Sequence, residues 1–411
     1  MLARQLHSLR STYREFPPAF WTLVAVTFID RLGGALLFPF FALYITGRFK
    51  VGMTEVGVLF ALFSVSSFVG SMLGGALSDR LGRKGMLIFS LVSSSLSAVF
   101  MGLVDSLQAF YLLALLVGIF TDTGGPAHQA MVADLLPEDK RARGYGIIRV
   151  AFNVSVVIGP AIGGVLAGVS YLLLFIADAV ISLIAAAIVL TSLPETKPTA
   201  RPGTRAESVA GTFRGYFRVL RDSSFMLFIG ICILMGLVYM NMNTTLGVYL
   251  RDAHQVPERQ YGWILSLNAI MVVFFQFPIT RRIERQPPQV MMALGTALYA
   301  IGFAMYGFVS TYVLFLLAMV IITIGEMLIA PVSQTLVASF APEDMRGRYM
   351  AMFGFSWSIP FAVGPLLAGV ILDNADPHWL WYAAGLVGLL AAAGFLALHR
   401  RTESAAVPDN L

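Results

Sequence analysis

Four carboxylic acids stand inside long apolar runs of this 411-residue chain, at Asp30, Asp122, Asp178 and Glu326. A charge at the centre of a bilayer costs about 2.5–3.5 kcal/mol on insertion scales, so an acid held there marks a proton or ion path by default. Glu326 lies about 21 Å into its run by helical rise. No basic residue shares that run. A lone carboxyl in such a place suits the uptake and release of protons. Asp30 lies about 20 Å into the first run, beside Arg31. Neighbours on a helix point about 100° apart, so Arg31 is either a charge partner and anion anchor or part of a contact that only holds helices together. Asp122 lies at similar depth, and the following Thr123-Gly124-Gly125-Pro126 predicts a loosened helix. Arg149 and Asn153 are four apart and share one helical face. Arg149 either balances Asp30, Asp122 or Glu326 or snorkels to a surface about 9 Å away. His128, the one histidine within a run, reads as a satisfied polar group.

A second set of residues has the types of a substrate cavity. Phe38, Tyr239, Met242, Phe275, Met327 and Trp357 are soft or aromatic side chains that suit varied apolar ligands. Asn153, Asn241, Asn243, Asn268, Gln276 and Gln334 can supply hydrogen bonds there.

These residues are positioned by twelve apolar runs, roughly 18–46, 54–77, 86–104, 108–134, 144–169, 171–193, 223–250, 260–280, 289–309, 312–339, 348–372 and 379–399. Runs of 18 or more apolar residues are read as spans, and each is helical because a lone span must satisfy its backbone internally. Composition agrees: the chain is 57% hydrophobic and 12% charged, against about 25% charged in soluble domains, with mean hydropathy +0.78. The net charge of +5 comes from short loops and records topology rather than nucleic-acid binding. One set of loops holds nearly all the lysines and arginines outside the runs, while the opposite set holds Arg48, Lys50, Arg251 and Arg259. Both termini are therefore expected in the cytoplasm. The single cysteine, Cys232, excludes an intramolecular disulfide and supports no thiol metal site.

The expected organisation is an N-terminal six-helix bundle over 1–193, a linker over 194–222, a C-terminal six-helix bundle over 223–399 and a cytoplasmic tail over 400–411. Within the linker, Val209, Phe213, Tyr216, Phe217 and Leu220 share a helical face interleaved with Arg214, Arg218 and Arg221, the pattern of a basic amphipathic helix on the inner leaflet. The halves repeat at a constant offset of 205 residues: Pro126 and Gln129 recur as Pro331 and Gln334, Pro137-Glu138-Asp139 as Pro342-Glu343-Asp344, and Gly159-Pro160 as Gly364-Pro365. The same offset makes Asp122 and Glu326 near-equivalents. Six spans per half is even, so the repeat is parallel, an arrangement that puts a substrate site between pseudo-symmetric halves near the midplane.

Gly75-Ala-Leu-Ser-Asp79-Arg80-Leu-Gly82-Arg83-Lys84, between spans 2 and 3, resembles the signature loop of the major facilitator superfamily. Gly159-Pro160-Ala-Ile-Gly163-Gly164 in span 5 resembles the core of the superfamily's antiporter motif, with Asn153 and Val157 where upstream glycines stand. Gly118 in span 4 lacks the family's preceding arginine, replaced by Ala114. Gly325-Glu326 with Pro331 and Gln334 resembles the acidic span-10 segment of certain multidrug–proton antiporters. The whole chain is most similar to the twelve-span drug–proton antiporters. That resemblance implies an all-α integral membrane fold of two pseudo-symmetric six-helix bundles, a monomer, and alternating access. It makes the signature loop a gate. Gly75 allows close helix approach, Gly82 a tight turn, and Asp79 a bond to a helix N-terminus or a base. Asp134 is then a partner for Arg80 or Arg83. Span 6 is peripheral in the superfamily, so Asp178 reads as a helix-packing hydrogen bonder.

The expected function is export of an amphiphilic small molecule in exchange for protons across a bacterial-type inner membrane, with membrane lipids as surroundings and the proton gradient in place of a cofactor. Two alternatives stay open. Asp30-Arg31-Leu32 faintly resembles the Glu-Arg-Phe of peptide symporters, although Thr27 replaces an upstream Glu, so import of peptides or sugars is one. Lipid or glycolipid translocation is the other. No clustered metal ligands, nucleophile–base pattern or phosphate loop points to an enzyme.

Overall fold

The computed structural model describes residues 13–197, 217–283, 285–342 and 345–406. Among them there are only helices and connecting turns. The helices are α1 (Pro18–Phe49), α2 (Met53–Leu81), α3 (Arg83–Leu103), α4 (Leu107–Thr121), α5 (Gly124–Leu135), α6 (Glu138–Ala167), α7 (Tyr171–Ser192), α8 (Ser223–Thr244), α9 (Leu246–His254), α10 (Glu258–Ile283), α11 (Pro288–Met305), α12 (Tyr312–Phe340), α13 (Arg346–Asn374) and α14 (His378–Ala406). Twelve helices are long and apolar enough to cross a membrane, with α4 and α5 together forming one span. This is a multi-pass membrane protein of all-α class.

Chain entry into several helices is fixed by side chains that take up the first free amides. Ser106 Oγ accepts from Ala109 N, and Asp222 Oδ1 accepts from Phe225 N at 3.0 Å. Only one turn of the expected amphipathic linker helix, residues 217–220, is described, with Val219 buried and Phe217 exposed. Residues 198–216, including Val209, Phe213, Arg214 and Tyr216, lie outside the described residues.

Packing divides the chain into two compact units, one of Met1–Pro39 with Leu62–Pro202 and one of Phe40–Ala61 with Gly203–Leu411. In the first unit, α3 packs on α4, α5 and α7. Phe20, Leu23 and Val26 of α1 join Met86 and Leu91 of α3, Met131 of α5 and Val189 of α7 in one buried cluster. Gly159 of α6 lies so close to α1 that a Cβ there would come within 2.7 Å of the Ala35 carbonyl carbon. Ser155 Oγ, one turn earlier, donates to Phe28 O at 2.8 Å.

In the second unit, α11 packs on α12 and α14, α8 on α13, and α10 on α12. Residues 40–61 belong here for identifiable reasons. Asp373 at the end of α13 accepts from the amides of Met53 at 2.8 Å and Thr54 at 2.7 Å, the first two residues of α2. A carboxylate at a helix N-terminus meets unsatisfied amides and the positive end of the dipole. Arg251 of α9 donates to Leu43 O at 3.1 Å and Thr46 Oγ1 at 3.0 Å. A Cβ on Gly57 would strike the backbone of Leu366.

Two spans are interrupted. The break predicted at Thr123-Gly124 is present: α4 ends at Thr121 and α5 starts at Gly124. Ser90 Oγ of α3 donates to the Thr121 carbonyl freed there. The second break corrects the expected continuous run over 223–250. Thr245, at φ −118° and ψ −35°, interrupts the helix and separates α8 from α9. Tyr261 OH of α10 donates to Met242 O at 2.8 Å beside this break.

Candidate functional site

Glu326 sits on α12 one residue after Gly325. Gly325 and Gly295 of α11 meet backbone to backbone, each approaching the other's carbonyl oxygen so closely that no Cβ fits. This contact sets the rotation of α12, and the next residue, about 100° round the helix, is aimed at α8 and α10. There its carboxylate accepts from Asn268 Nδ2 of α10 at 2.7 Å and from Tyr239 OH of α8 at 3.1 Å. Asn268 also donates to Thr323 Oγ1 at 3.1 Å, one turn before Glu326. No basic residue pairs with Glu326 among the described residues. Tyr239 stacks on Tyr299 of α11 at 5.5 Å and meets the edge of Trp357 of α13 at 5.8 Å. The result is a carboxylate with two neutral donors and an aromatic wall.

Below the acid, Pro331 lies inside α12. Proline has no amide to bond the carbonyl four residues back, which is Met327 O. Gln276 Nε2 of α10 donates to that oxygen at 3.1 Å.

The first unit carries the other acids. Arg31 Nε is 3.8 Å from Asp30 Oδ2, a loose pair with Arg31 53% and Asp30 28% exposed. Arg31 also lies 6.0 Å over the Phe152 ring of α6. Thr27 Oγ1 donates to Leu23 O at 2.8 Å and meets His128 Nε2 at 2.7 Å, so His128 is a partnered polar group. Asp122 lies in the α4–α5 break, and its side chain has no hydrogen-bond partner among the described residues. Arg149 and Asn153 are both exposed on α6. Neither makes an ion pair or hydrogen bond among the described residues, so the structure does not bring Arg149 to an acid. Asp178 corrects an expectation. It makes no packing hydrogen bond among the described residues, and instead presents Oδ1 to Gly33 of α1.

Of the expected cavity residues, Tyr239, Asn268 and Trp357 gather at Glu326, with Met327 buried behind it. Gln276 braces α12. Asn243 and Phe38 are half-buried, and Gln334 and Phe275 are exposed. Asn241 bonds back to Leu237 O at 2.9 Å, a helix-internal use.

The signature loop is built around a residue the sequence reading missed. Gly82 has φ +100°, a conformation only glycine adopts freely, and a Cβ there would strike Glu195. Glu195, just after α7, accepts from Arg83 N at 2.8 Å and Lys84 N at 3.2 Å, the first amides of α3. Burial pushes the Glu195 carboxyl up, but four backbone amides, of Arg83, Lys197, Lys84 and Thr196, outweigh it and hold the group below its usual value. Arg83 Nε pairs with Asp134 Oδ2 at 3.3 Å, so Arg83 is one partner of Asp134. The side chains of Gly75, Asp79 and Arg80 lie outside the described residues. Pro160 lies inside α6, and Gly163 and Gly164 are buried one turn on.

The model of the Major Facilitator Superfamily matches residues 23–254 and 233–410. The chain belongs to this superfamily. It is therefore a transporter rather than an enzyme. It is 26% identical to a Na(+), Li(+), K(+)/H(+) antiporter of Planococcus maritimus over 85% of this chain and 87% of that one. It is 24% identical to the multidrug resistance protein MdtH of Sodalis glossinidius (strain morsitans), over 90% and 87%. Among solved structures, the nucleoside transporter NupG matches with TM-score 0.75 at 15% identity, covering 93% of this chain and all of that one. That likeness carries the fold of this superfamily member and nothing about its substrate.

Proposed function

We propose that the protein exports amphiphilic, cationic or neutral small molecules in exchange for protons, by alternating access in a bacterial-type inner membrane, as a monomer with both termini cytoplasmic. The observation that carries this reading is the state of Glu326. Its carboxylate has two neutral donors and no basic partner among the described residues, beside the rings of Tyr239 and Trp357. An unpaired charge at that depth is unstable, and either a proton or a substrate ammonium group neutralises it. The two occupants then exclude one another, which couples their movements. The names of the relatives, an alkali-cation/proton antiporter and a multidrug resistance protein, support an exchanger. Asp30 with Arg31, Asp122 and Arg149 supply further charges for the cycle.

The test is proton movement in proteoliposomes under an imposed pH gradient. Addition of a lipophilic cation is expected to drive protons, and Glu326→Gln to abolish the response. A response only to sugars or peptides overturns export in favour of import, and silence across that panel with flipping of labelled lipid favours lipid translocation.

A further inference from the structure

Asp178 is buried, with 8% exposure, and has no hydrogen-bond partner among the described residues. It faces Gly33, where the missing side chain on α1 leaves the room that Oδ1 occupies. Asp30 is one turn before Gly33 on the same face of α1, and the two carboxyls lie within electrostatic reach of each other. One turn after Asp178 on α7 is Ser182, which is 1% exposed. Its Oγ has no hydrogen-bond partner among the described residues, although a helical serine can readily bond the carbonyl four residues back. Spans 1 and 6 run antiparallel. Asp178 lies against Gly33 at one level, and Ala185 shares the buried cluster with Val26 at another. Ser182 falls between these levels, beside residues 29 and 30. Ser182 shares the face of α7 that carries Asp178, and Asp178 Oδ1 lies against Gly33 of α1, so two oxygen-bearing side chains without a hydrogen-bond partner among the described residues lie on the face turned to α1. Buried polar groups in native proteins are normally satisfied, so these oxygens call for a ligand.

The chemistry of the pocket limits that ligand. Its groups offer only oxygen, which suits a hard cation. The charged groups that face it are Asp30, Arg31 and Asp178. His128, held by Thr27, is counted as a neutral imidazole. With both carboxyls ionised the sum is one negative charge, which a single positive charge balances. No group of three or more His, Cys, Asp or Glu is placed to hold a metal ion among the described residues, so the site is too poor in charge for a divalent ion.

We propose that Asp30, Asp178 and Ser182 form a monovalent alkali-cation site inside the first unit, separate from Glu326. It stands whether or not Glu326 handles organic cations.

The experiment is thermal unfolding of the purified full chain at one pH and constant ionic strength, in choline chloride against LiCl, NaCl or KCl. A ligand that binds only the native state raises its melting temperature. At least one alkali cation is expected to raise the midpoint by about 1–2 °C at ten times its Kd. Asp178→Asn removes the shift, Ser182→Ala raises the half-maximal cation concentration severalfold, and Glu326→Gln leaves the shift intact. Absence of a shift with all three cations overturns the proposal, as does a full shift in Asp178→Asn or loss of it in Glu326→Gln. If Asp178→Asn does not fold, Ser182→Ala decides alone: an unchanged half-maximal concentration overturns the site. Glu326→Gln separates this result from the export reading, because that variant fails in proton exchange and keeps the alkali-cation shift.

Discussion

Gln276 and Pro331 are complementary. The proline deprives Met327 O of its helical amide, and Gln276 on α10 donates to that oxygen at 3.1 Å. The pair ties α10 to α12 one turn below Glu326 and keeps a proline in a membrane helix without leaving a carbonyl orphaned, as the bilayer requires.

Gln276→Leu is expected to lower stability by about 1–3 kcal/mol, since it strands a buried acceptor. In a Pro331→Ala background the amide returns, and the same substitution should be nearly neutral. Thermal unfolding of the four members of this cycle measures the coupling. Equal losses in both backgrounds would show that the bond does not compensate the proline.

Tyr239→Phe removes one of two donors to the Glu326 carboxylate while keeping the ring that stacks on Tyr299. A hydrogen bond to a charged group contributes about 1.5–3 kcal/mol. The KM for a lipophilic cation should therefore rise about tenfold or more, with the maximal rate less affected. Initial rates of dye efflux in proteoliposomes check it, and an unchanged KM removes Tyr239 from the site.

Glu195 gives a pH dependence with a definite sign. Its carboxyl is held below its ordinary value by backbone amides, so the stability it contributes is present at neutral pH. That contribution starts to fall as pH drops through the ordinary carboxylate range of about 4.3 and is lost as pH falls through the lower folded-state value. Glu195→Gln should melt earlier than the parent at pH 7, by the equivalent of about 0.5–1 kcal/mol for a charge at a helix N-terminus. The two melting curves should converge in acid. A constant gap across pH would mean that the charge is irrelevant.

Much of the fold was legible because bilayer physics is strict. Apolar runs mark spans, and the Gly-Gly-Pro after Thr123 marked the α4–α5 break. The break at Thr245 was hidden, since Thr244-Thr245 carries neither proline nor glycine and tertiary contacts decide it. Glu326 was visible as a lone acid in an apolar run, but its partners required knowing which faces of α8 and α10 turn toward it. Glu195 was lost among loop charges. Asp178 was underread because its meaning depends on Gly33, 145 positions away, and no local pattern joins the two.

Gly159→Val tests the closest approach of α6 to α1. Its Cβ would lie within 2.7 Å of the Ala35 carbonyl carbon, and backbone cannot yield as a side-chain tip can. Transport and thermal stability should both drop sharply, whereas Gly146→Ala on the same helix, with nothing within 4 Å of its Cβ, should retain wild-type behaviour. Normal transport in Gly159→Val would show that the contact is looser than this packing.

The meeting of Gly295 and Gly325 has a mechanical consequence. Where two helices touch through side chains, rotamers act as bearings and absorb a small slip. Here backbone bears on backbone, so α11 and α12 have no such play and behave as one lever. Glu326 rides on that lever. A force applied to α11, which carries no charged side chain, is delivered to the carboxylate without loss, and substitutions along that neutral helix become adjustments to the position of the acid.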